Sequence, residues 1–362
     1  MLDAHMPAPS QRDQDSIDNV DHDGQAKATV TPMQLLGMAD GLLIHQALYA
    51  VAKLGVADLL QDGPRAAADI ARQLNVSEPA LYRVLRVLAS EGVFEEIGPQ
   101  TFVNTGLSQF LRTGTSGSIR ALMIFRGSKH FFTPFDEILY SVQTGESART
   151  KINGRNGFES LRQNPELAAV FDDAMTNLSQ LAAPAIASAY DFAQWGSVMD
   201  VGGGNGVLLA EILKVHTCLR GVLADQPHVL ERARQRGFLG DELAERTSMQ
   251  DCDFFREVPA GCRAYLMKSV LVDWNDEQAC TILLNCRQAV SRDGALLVVD
   301  YSVAEDDLSS RGKLADLAML VLTGGRVRTI REYRDLLARG GFRLNKVIPV
   351  PGELSILEAL PM

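Results

Sequence analysis

The sequence predicts an α/β protein in which a doubly wound sheet follows a mainly helical region. From Ser197 onwards, short apolar runs alternate with segments of helical periodicity, as in parallel strands joined by crossover helices. Before that point, apolar residues recur mostly at three- and four-residue spacing, which indicates helices. The strand candidates are VMDVGG, LRGVLAD, AYLMKSVL and ALLVVDYSV, and the helix candidates are GVLLAEILK, VLERARQR and ACTILLNCRQAV.

Composition excludes several classes of partner. The chain of 362 residues has a net charge of −10, which argues against non-specific binding to nucleic acid or to an anionic membrane. Its five cysteines form no CxxC pair and its six histidines no HExxH motif, so we expect free thiols and no metal. With no uncharged apolar stretch of membrane-spanning length and no secretory signal, we expect a cytoplasmic protein without a membrane partner.

The amino-terminal region divides into a tail and two apolar helices. Residues 1–30 are rich in aspartate and are predicted to be a disordered tail. From Thr31, MQLLGMADGLLIHQALYAVAKLGVADLL predicts two helices with more apolar positions than one buried face requires. A large intradomain core is one explanation; we favour the other, a homodimer interface.

Residues 66–103 show the order helix, helix, hairpin that is typical of a winged helix. Ser77 is a candidate N-cap, Gly92 ends the second helix, and GPQ separates two strand candidates. DNA binding is one interpretation. Residues 66–96 carry three arginines and no lysine against five acids, whereas a recognition helix should be basic. We therefore predict a winged helix that serves packing and dimerisation.

The middle of the chain, residues 107–192, is predicted to be mainly helical, with breaks at Pro165 and Pro184. Its aromatic residues either pack in a core or line an apolar pocket. The predicted organisation is a tail (1–30), a winged-helix dimerisation domain (31–112), a helical linker and substrate lid (113–192) and a sheet domain (193–362). The substrate-binding candidates in the lid are Phe131, Phe135, Phe171 and Met175.

The stretch VMDVGGGNGVLLAEILK predicts a nucleotide site. A strand ends at Asp200, and Gly202, Gly204 and Gly206 form a turn in which a ligand can approach the backbone without meeting a Cβ. Asp225 ends the next strand candidate, where an acid can accept hydrogen bonds from ribose hydroxyls. A dinucleotide fingerprint, GxGxxG, would need glycine at position 207, which is valine here. The acidic Asp200 also favours a ligand with an amino group, such as S-adenosyl-L-methionine.

From about Pro32 to Met362 the chain resembles the S-adenosyl-L-methionine-dependent O-methyltransferases of the plant caffeate/flavonoid type and their bacterial natural-product relatives. The resemblance rests on DVGGGNG, LADQPHVL, DFFREVP, LMKSVLVDWNDEQACTILLNCRQAV and GGRVRTIREYRDLLARGGF. It implies a Rossmann-like methyltransferase domain after a winged-helix dimerisation domain, a small-molecule substrate, and S-adenosyl-L-methionine or S-adenosyl-L-homocysteine as the bound cofactor.

The resemblance also assigns roles to individual residues. The methionine end of the cofactor would be held by Asp200, Gly202 and Gly204, its polar end contacted by Lys268, and its ribose bound by Asp225. The adenine would lie against Asp253, Phe254 and Trp274. Met319 and Val272 would face the substrate.

The catalytic pattern departs from that of the family. O-methylating relatives carry KxxxHDW, whose histidine deprotonates a substrate hydroxyl. That position here is Val272. In these relatives two acids steer the histidine. The first aligns with Asp300, where glutamate is usual, and the second with Val327, where glutamate is expected. We therefore expect no histidine-assisted O-methylation at this position.

Three hypotheses remain open from the sequence. The protein methylates a carbon, an amine or an acidic hydroxyl through proximity and alignment alone. Alternatively, it binds the cofactor and catalyses a non-methylating step such as hydroxylation, decarboxylation or a pericyclic reaction. The third hypothesis is a non-enzymatic binder or regulator.

Four polar residues are candidates for what remains of the catalytic machinery. His130 is the best titratable candidate for a replacement base, although we favour a buried structural histidine as its interpretation. Arg326 could orient an anionic substrate group or lie in a solvated loop. Asp273 is expected to cap the following helix, and Asp300 is a weak catalytic candidate that ends a strand.

Overall fold

The computed structural model describes residues 31–154, 157–240, 242–303 and 311–362. The tail predicted for residues 1–30 lies outside them. Contacts divide the chain into two units, of which the first ends at Gln46 and the second begins at Ala47. The domain boundaries at residues 112 and 192 stay predictions.

The first part of the chain forms the elements of a winged helix. Buried leucines at Leu81, Leu85 and Leu88 give the second helix of the motif its core-facing stripe. Gly92 follows it with a φ of 72°, and Ser77 precedes it without a side-chain capping bond. The helices are α1 (Pro32–Leu54), α2 (Val56–Leu59), α3 (Ala67–Leu74) and α4 (Glu78–Ser90), and the strands are β1 (Arg65–Ala66), β2 (Phe94–Gly98) and β3 (Thr101–Asn104), in the order β1-β3-β2.

Helix α1 is unusually apolar for its exposure. By length and composition alone it could cross a membrane, which modifies the expectation that no such stretch exists. Only 17% of its most apolar window is buried, so it is not a core helix of the described structure. The exposed apolar side chains are Met33, Leu35, Leu36, Met38, Leu42 and Leu43. Several exposed apolar side chains on one helix are typical of an interaction site.

The middle of the chain is helical, as predicted, but one predicted break is absent. Helix α10 begins at Pro165 and continues through Pro184 to Ala189. Burial of Ala183, Ile186 and Ala187 on both sides of Pro184 keeps the helix continuous despite the missing N–H. The helices are α5 (Arg120–Arg126), α6 (Lys129–Phe132), α7 (Ile138–Thr144), α8 (Ala148–Asn153), α9 (Gly157–Gln163) and α10 (Pro165–Ala189).

The remaining chain builds one mixed sheet, which confirms the predicted doubly wound α/β class. Its strands are β4 (Ser197–Val201), β5 (Arg220–Asp225), β6 (Thr247–Asp251), β7 (Ala264–Lys268), β8 (Ala295–Val303), β9 (Arg328–Thr329), β10 (Phe342–Val350) and β11 (Leu354–Pro361). Its helices are α11 (Val207–Val215), α12 (Pro227–Arg236), α13 (Asp276–Ala289), α14 (Arg311–Leu322) and α15 (Ile330–Arg339). The main strand order is β10-β11-β8-β7-β4-β5-β6, with β9 paired to β8.

The direction of the strands determines where a ligand can bind. Strands β4 to β8 are mutually parallel, whereas β10 and β11 add an antiparallel edge. The carboxyl ends of β4, β5 and β7 therefore meet at one edge of the sheet, where open α/β sheets bind their ligands. This edge carries Asp200, Asp225 and Lys268.

A buried arginine fixes the loop that follows β7. The Arg328 guanidinium donates hydrogen bonds to the carbonyls of Leu271 and Trp274, at 2.9 and 2.8 Å, and to the carboxylate of Asp276 at 2.9 Å. Arg328 has no exposed surface. Its donors therefore replace water for two main-chain acceptors in the interior.

Replacing this guanidinium should destabilise the protein. For Arg328→Met we expect a loss of about 3 kcal/mol in the free energy of unfolding, because two carbonyls lose their donor. Urea unfolding measures the loss, with the exposed Arg334→Met as matched control. A loss no larger than that of the control would contradict the assigned role.

Candidate functional site

The glycine loop after β4 forms the floor of the candidate site. Gly202 and Gly204 have φ values of 72° and 58°, a region that glycine adopts without strain. A Cβ on Gly202 would lie 3.1 Å from Val270, and one on Gly203 would lie 2.6 Å from the carboxyl of Asp200. Helix α11 begins directly after Gly206, as predicted. The loop thus leaves room for a ligand only because it lacks side chains.

Asp200 and Lys268 occupy the ends of neighbouring strands beneath this loop. Asp200 is 1% exposed, and its Oδ2 has no hydrogen-bond partner among the described residues. Burial raises the pKa of Asp200 to about 7, and nearby Lys268 partly opposes the shift. The Lys268 ammonium donates to the hydroxyl of Ser179 at 3.4 Å. A buried carboxylate with an unused oxygen suits the ammonium group of an amino acid.

Asp225 joins the glycine loop to the end of β5. Its carboxylate accepts hydrogen bonds from the main-chain N–H groups of Gly204, at 2.9 Å, and Gln226, at 2.7 Å. Burial raises the pKa of Asp225, while the two N–H donors oppose the rise. This placement agrees with the predicted ribose role, since carboxylate oxygens can accept further hydrogen bonds.

Asp253 and Phe254 lie one strand further along the same edge. Asp253 is exposed and accepts a hydrogen bond from the N–H of Phe255 at 3.1 Å, so it also stabilises its own turn. The Phe254 ring lies 3.5 Å from the position of a Cβ on Gly202. Beside them is a groove of about 570 Å³ lined by Gln226, Pro227, Gln250, Asp251, Cys252, Asp253, Arg256, Glu257, Pro259 and Ala260.

Aromatic rings connect the cofactor edge with the lid helices. Trp274 stacks on Phe158 at a centroid distance of 5.5 Å and meets the edge of Phe255 at 4.6 Å. Phe158 contacts Phe171, which contacts Phe125 in turn. The series continues from Phe125 to Phe131 and Phe135 at 5.5 and 5.6 Å. Three predicted substrate residues, Phe131, Phe135 and Phe171, therefore belong to one apolar wall, against which Met175 also packs.

Val272 lies in a short 3₁₀ turn, Leu271–Asp273, after β7. Its side chain is buried, and its carbonyl lies so close to Gly325 that a Cβ there would approach to 2.1 Å. The predicted helix cap is corrected: Asn275, not Asp273, accepts the hydrogen bond of the first turn of α13, from the N–H of Gln278.

Asp273 instead faces a group of buried charges. Burial and the neighbouring Asp300 raise its pKa to about 8, while Arg149 and Lys268 partly oppose the shift. Asp300 lies within β8, three residues before its last residue Val303, which corrects its placement at a strand end. Its Oδ2 accepts a hydrogen bond from the hydroxyl of Tyr333 at 2.9 Å, and burial raises its pKa to about 7.

His130 does not have the acid–base properties expected of a replacement base. Burial, with a smaller contribution from the Arg149 charge, lowers its pKa to about 4. Its ring is therefore neutral at pH 7, and its Nε2 is buried without a partner in the described part of the chain. A base this weak removes a phenolic proton poorly.

Arg326 requires a correction. Its side chain is exposed, and its guanidinium pairs with Glu332 and, at 3.7 Å, with Asp276. Because both acids already neutralise it, Arg326 is not a free receptor for an anionic substrate group. Met319 is half-buried on α14, where its sulfur accepts a hydrogen bond from Thr323 at 3.8 Å.

Sequence reasoning missed three residues that face the site. The hydroxyl of Tyr333 donates a hydrogen bond to Asp300, and the hydroxyl of Ser179 accepts one from Lys268. Arg149 lies near Asp273. Tyr333 lies in a recognised motif, REYRDLL, but its hydroxyl can be assigned a partner only from the tertiary structure. The segment around Arg149 carries no spacing signal.

The glycine loop, a buried Asp200 oxygen without a partner among the described residues, and Asp225 at the adjoining strand end form a site that fits S-adenosyl-L-methionine. The chain belongs to the O-methyltransferase family: the model for the O-methyltransferase domain matches residues 135–343, and that for the O-methyltransferase dimerisation domain matches 36–114. The family uses S-adenosyl-L-methionine, and neighbouring solved structures hold it or S-adenosyl-L-homocysteine. The chain is thus an S-adenosyl-L-methionine-dependent methyltransferase of the type found in natural-product biosynthesis.

Two relatives and one structure illustrate the similarity. The chain is 40% identical to "Phenazine O-methyltransferase PhzM" of Lysobacter antibioticus over 91% of this chain and 96% of the relative. It is 36% identical to "Aclacinomycin 10-hydroxylase RdmB" of Streptomyces purpurascens over 90% of this chain and 89% of the relative. The solved structure of LaPhzM superposes with a TM-score of 0.87 at 40% identity, covering 92% of this chain and all of the other.

Cofactor affinity should depend on pH through Asp200. A bound ammonium favours the carboxylate, so we expect affinity for S-adenosyl-L-homocysteine to rise with pH until it passes about 7. Asp200→Asn should weaken binding roughly 10- to 100-fold and flatten this dependence. Calorimetry at several pH values measures both, with exposed Asp293→Asn as control. Unchanged affinity in Asp200→Asn would contradict the assignment.

Proposed function

We propose that the protein methylates a small aromatic or polyketide-like metabolite without a histidine general base. The observation that carries the proposal is Val272, a buried apolar side chain in the turn between β7 and Trp274. Neither this side chain nor the neutral ring of His130 supplies a proton acceptor that is effective near pH 7.

The residues of the site would position both reactants. Asp200, the glycine loop and Asp225 would hold the cofactor, which supplies an electrophilic methyl group. The aromatic wall from Trp274 to Phe135 would hold a flat apolar substrate and exclude water. Such positioning can provide much of the rate enhancement when the nucleophile is a carbon, an amine or a hydroxyl that ionises easily.

Two buried carboxyl groups near Val272 are incompletely ionised at pH 7. Asp273 and Asp300 have pKa values raised to about 8 and 7, so Asp273 is mostly protonated at pH 7 and Asp300 only partly ionised. Asp300 is also held by Tyr333. A substrate that needs no proton removal, or that ionises beforehand, does not depend on the ionisation of either carboxyl group.

A non-methylating reaction is the second candidate function. The similarity to a relative named as a hydroxylase favours it, as does the apolar residue at position 272. In that case the positive sulfonium of the cofactor would act only through its charge.

Mass spectrometry separates the two functions. We expect incubation with S-adenosyl-L-methionine and a panel of hydroxylated, aminated and electron-rich aromatic compounds to give a product heavier by one CH₂ unit, with one S-adenosyl-L-homocysteine per product. Asp225→Ala, which removes the ribose acceptor, is the control and should lose most of the activity. Conversion without added CH₂, supported equally by S-adenosyl-L-homocysteine, would favour the second function.

We also propose that a homodimer forms through the apolar surface of α1 and that the enzyme is cytoplasmic. The match to a dimerisation domain and the exposure of Leu36 and Leu43 support the dimer. Light scattering should give a mass twice that of the chain, and Leu36→Asp with Leu43→Asp should lower it to one chain. Leu284→Asp, also exposed but on α13, is the control. A wild-type mass equal to one chain would refute the dimer.

A further inference from the structure

Arg149 is a buried cation whose hydrogen-bonding capacity is only partly used by the described residues. The side chain lies on α8 and is only 6% exposed, and its Nε has no hydrogen-bond partner within the described ranges. One guanidinium nitrogen, Nη2, donates to the carbonyl of His130 at 3.3 Å. Buried arginines are normally paired, because an unpaired charged donor in the interior is costly.

The position of Arg149 puts its charge beside the aromatic wall. A Cβ added to Gly157 would lie 2.8 Å from Nη1 of Arg149, so the guanidinium uses the space that this glycine leaves. The next residue, Phe158, stacks on Trp274. His130 is adjacent on the other side, with its ring 6.4 Å from that of Phe125.

The acid nearest to Arg149 does not neutralise it. Asp273 raises the pKa of the guanidinium, yet no ion pair joins the two side chains in the described structure. Burial lowers the pKa of Arg149 to about 10, so it stays protonated at pH 7, whereas the raised pKa of Asp273 keeps that carboxyl mostly neutral. Lys268 and Asp300 also face Asp273 from the sheet. The Arg149 guanidinium therefore lies near Asp273 without a carboxylate ion-pair partner among the described residues.

We propose that Arg149, with the neutral His130 beside it, binds an anionic oxygen, a phenolate or a carboxylate, on the aromatic substrate. The inference rests on the proposed function and identifies its substrate class: an aromatic compound with an ionised oxygen. A guanidinium stabilises the ionised form of a phenol and so lowers its pKa, and the proton is released to water. In this way Arg149 is a positioning and charge-stabilising residue that compensates for the missing base.

Probe binding to the protein saturated with S-adenosyl-L-homocysteine tests the proposal without relying on turnover. The phenol probe is 4-nitro-1-naphthol, whose visible absorbance reports its ionisation. The carboxylate probe is 1-naphthoate, and 1-nitronaphthalene is the uncharged control of similar shape. The variants are Arg149→Gln, Arg149→Lys and, as matched control, Arg112→Gln, since Arg112 also has a buried unpartnered Nε but lies outside the site.

We expect Arg149→Gln to lower the affinity for at least one anionic probe roughly 10- to 100-fold. Its affinity for the uncharged probe should change less than about twofold. If the phenolate is the bound form, the pH at which bound 4-nitro-1-naphthol ionises should rise in Arg149→Gln, and Arg149→Lys should restore much of the shift. Arg112→Gln should match wild type. Selective loss of one probe identifies the phenolate or the carboxylate as the recognised group.

Two results would overturn the proposal. Equal losses for charged and uncharged probes would show that Arg149 has only a structural role. Failure of every probe to bind wild-type protein that does bind S-adenosyl-L-homocysteine would exclude an aromatic-anion site. Failure of S-adenosyl-L-homocysteine itself to bind would instead refute the proposed function, because the cofactor half of the site would then be wrong.

Discussion

The hydrogen bonds of Arg328 determine the geometry on which the rest of the site depends. They fix the carbonyls of Leu271 and Trp274. They therefore also fix the short segment that carries Val272, Asp273 and the indole of Trp274. The N–H groups of Asp273 and Trp274 donate within the turn, to the carbonyls of Val270 and Leu271, and the buried guanidinium adds the donors that hold the turn from outside. The position of Val272 is thus determined by a residue of strand β9.

Burial of like charges is the second constraint. Asp200, Asp273 and Asp300 approach a single lysine in the interior, and each has a raised pKa. Burial is the main cause of each rise, because an ionised carboxylate loses its hydration in the interior, and at Asp273 the charge of Asp300 adds to it. The glycine loop avoids this cost, because its donors are main-chain N–H groups, one of which satisfies Asp225.

Much of the fold followed from the sequence, because the alternation of strands and helices after Ser197 and the glycine turn depend on local chemistry. The winged helix followed from the leucine spacing of α4 and the hairpin. Burial across Pro184 could not be predicted, because it depends on which surfaces meet. The same limit explains the assignments of Asp273 and Arg326, because the burial of the first beside Asp300 and the ion pair of the second with Glu332 are known only from the tertiary structure.

Helix α10 combines two tasks on one rigid body. Phe171 and Met175 pack in the apolar wall, while Thr176 accepts a hydrogen bond from Asn205 of the glycine loop and Ser179 binds Lys268. Because these residues lie within about two turns of one helix, a shift imposed from the sheet edge displaces the aromatic side chains by a similar amount. The contacts of one helix therefore link the nucleotide half of the enzyme to the shape of the aromatic wall, and by reciprocity a ligand on either side would affect the binding of the other.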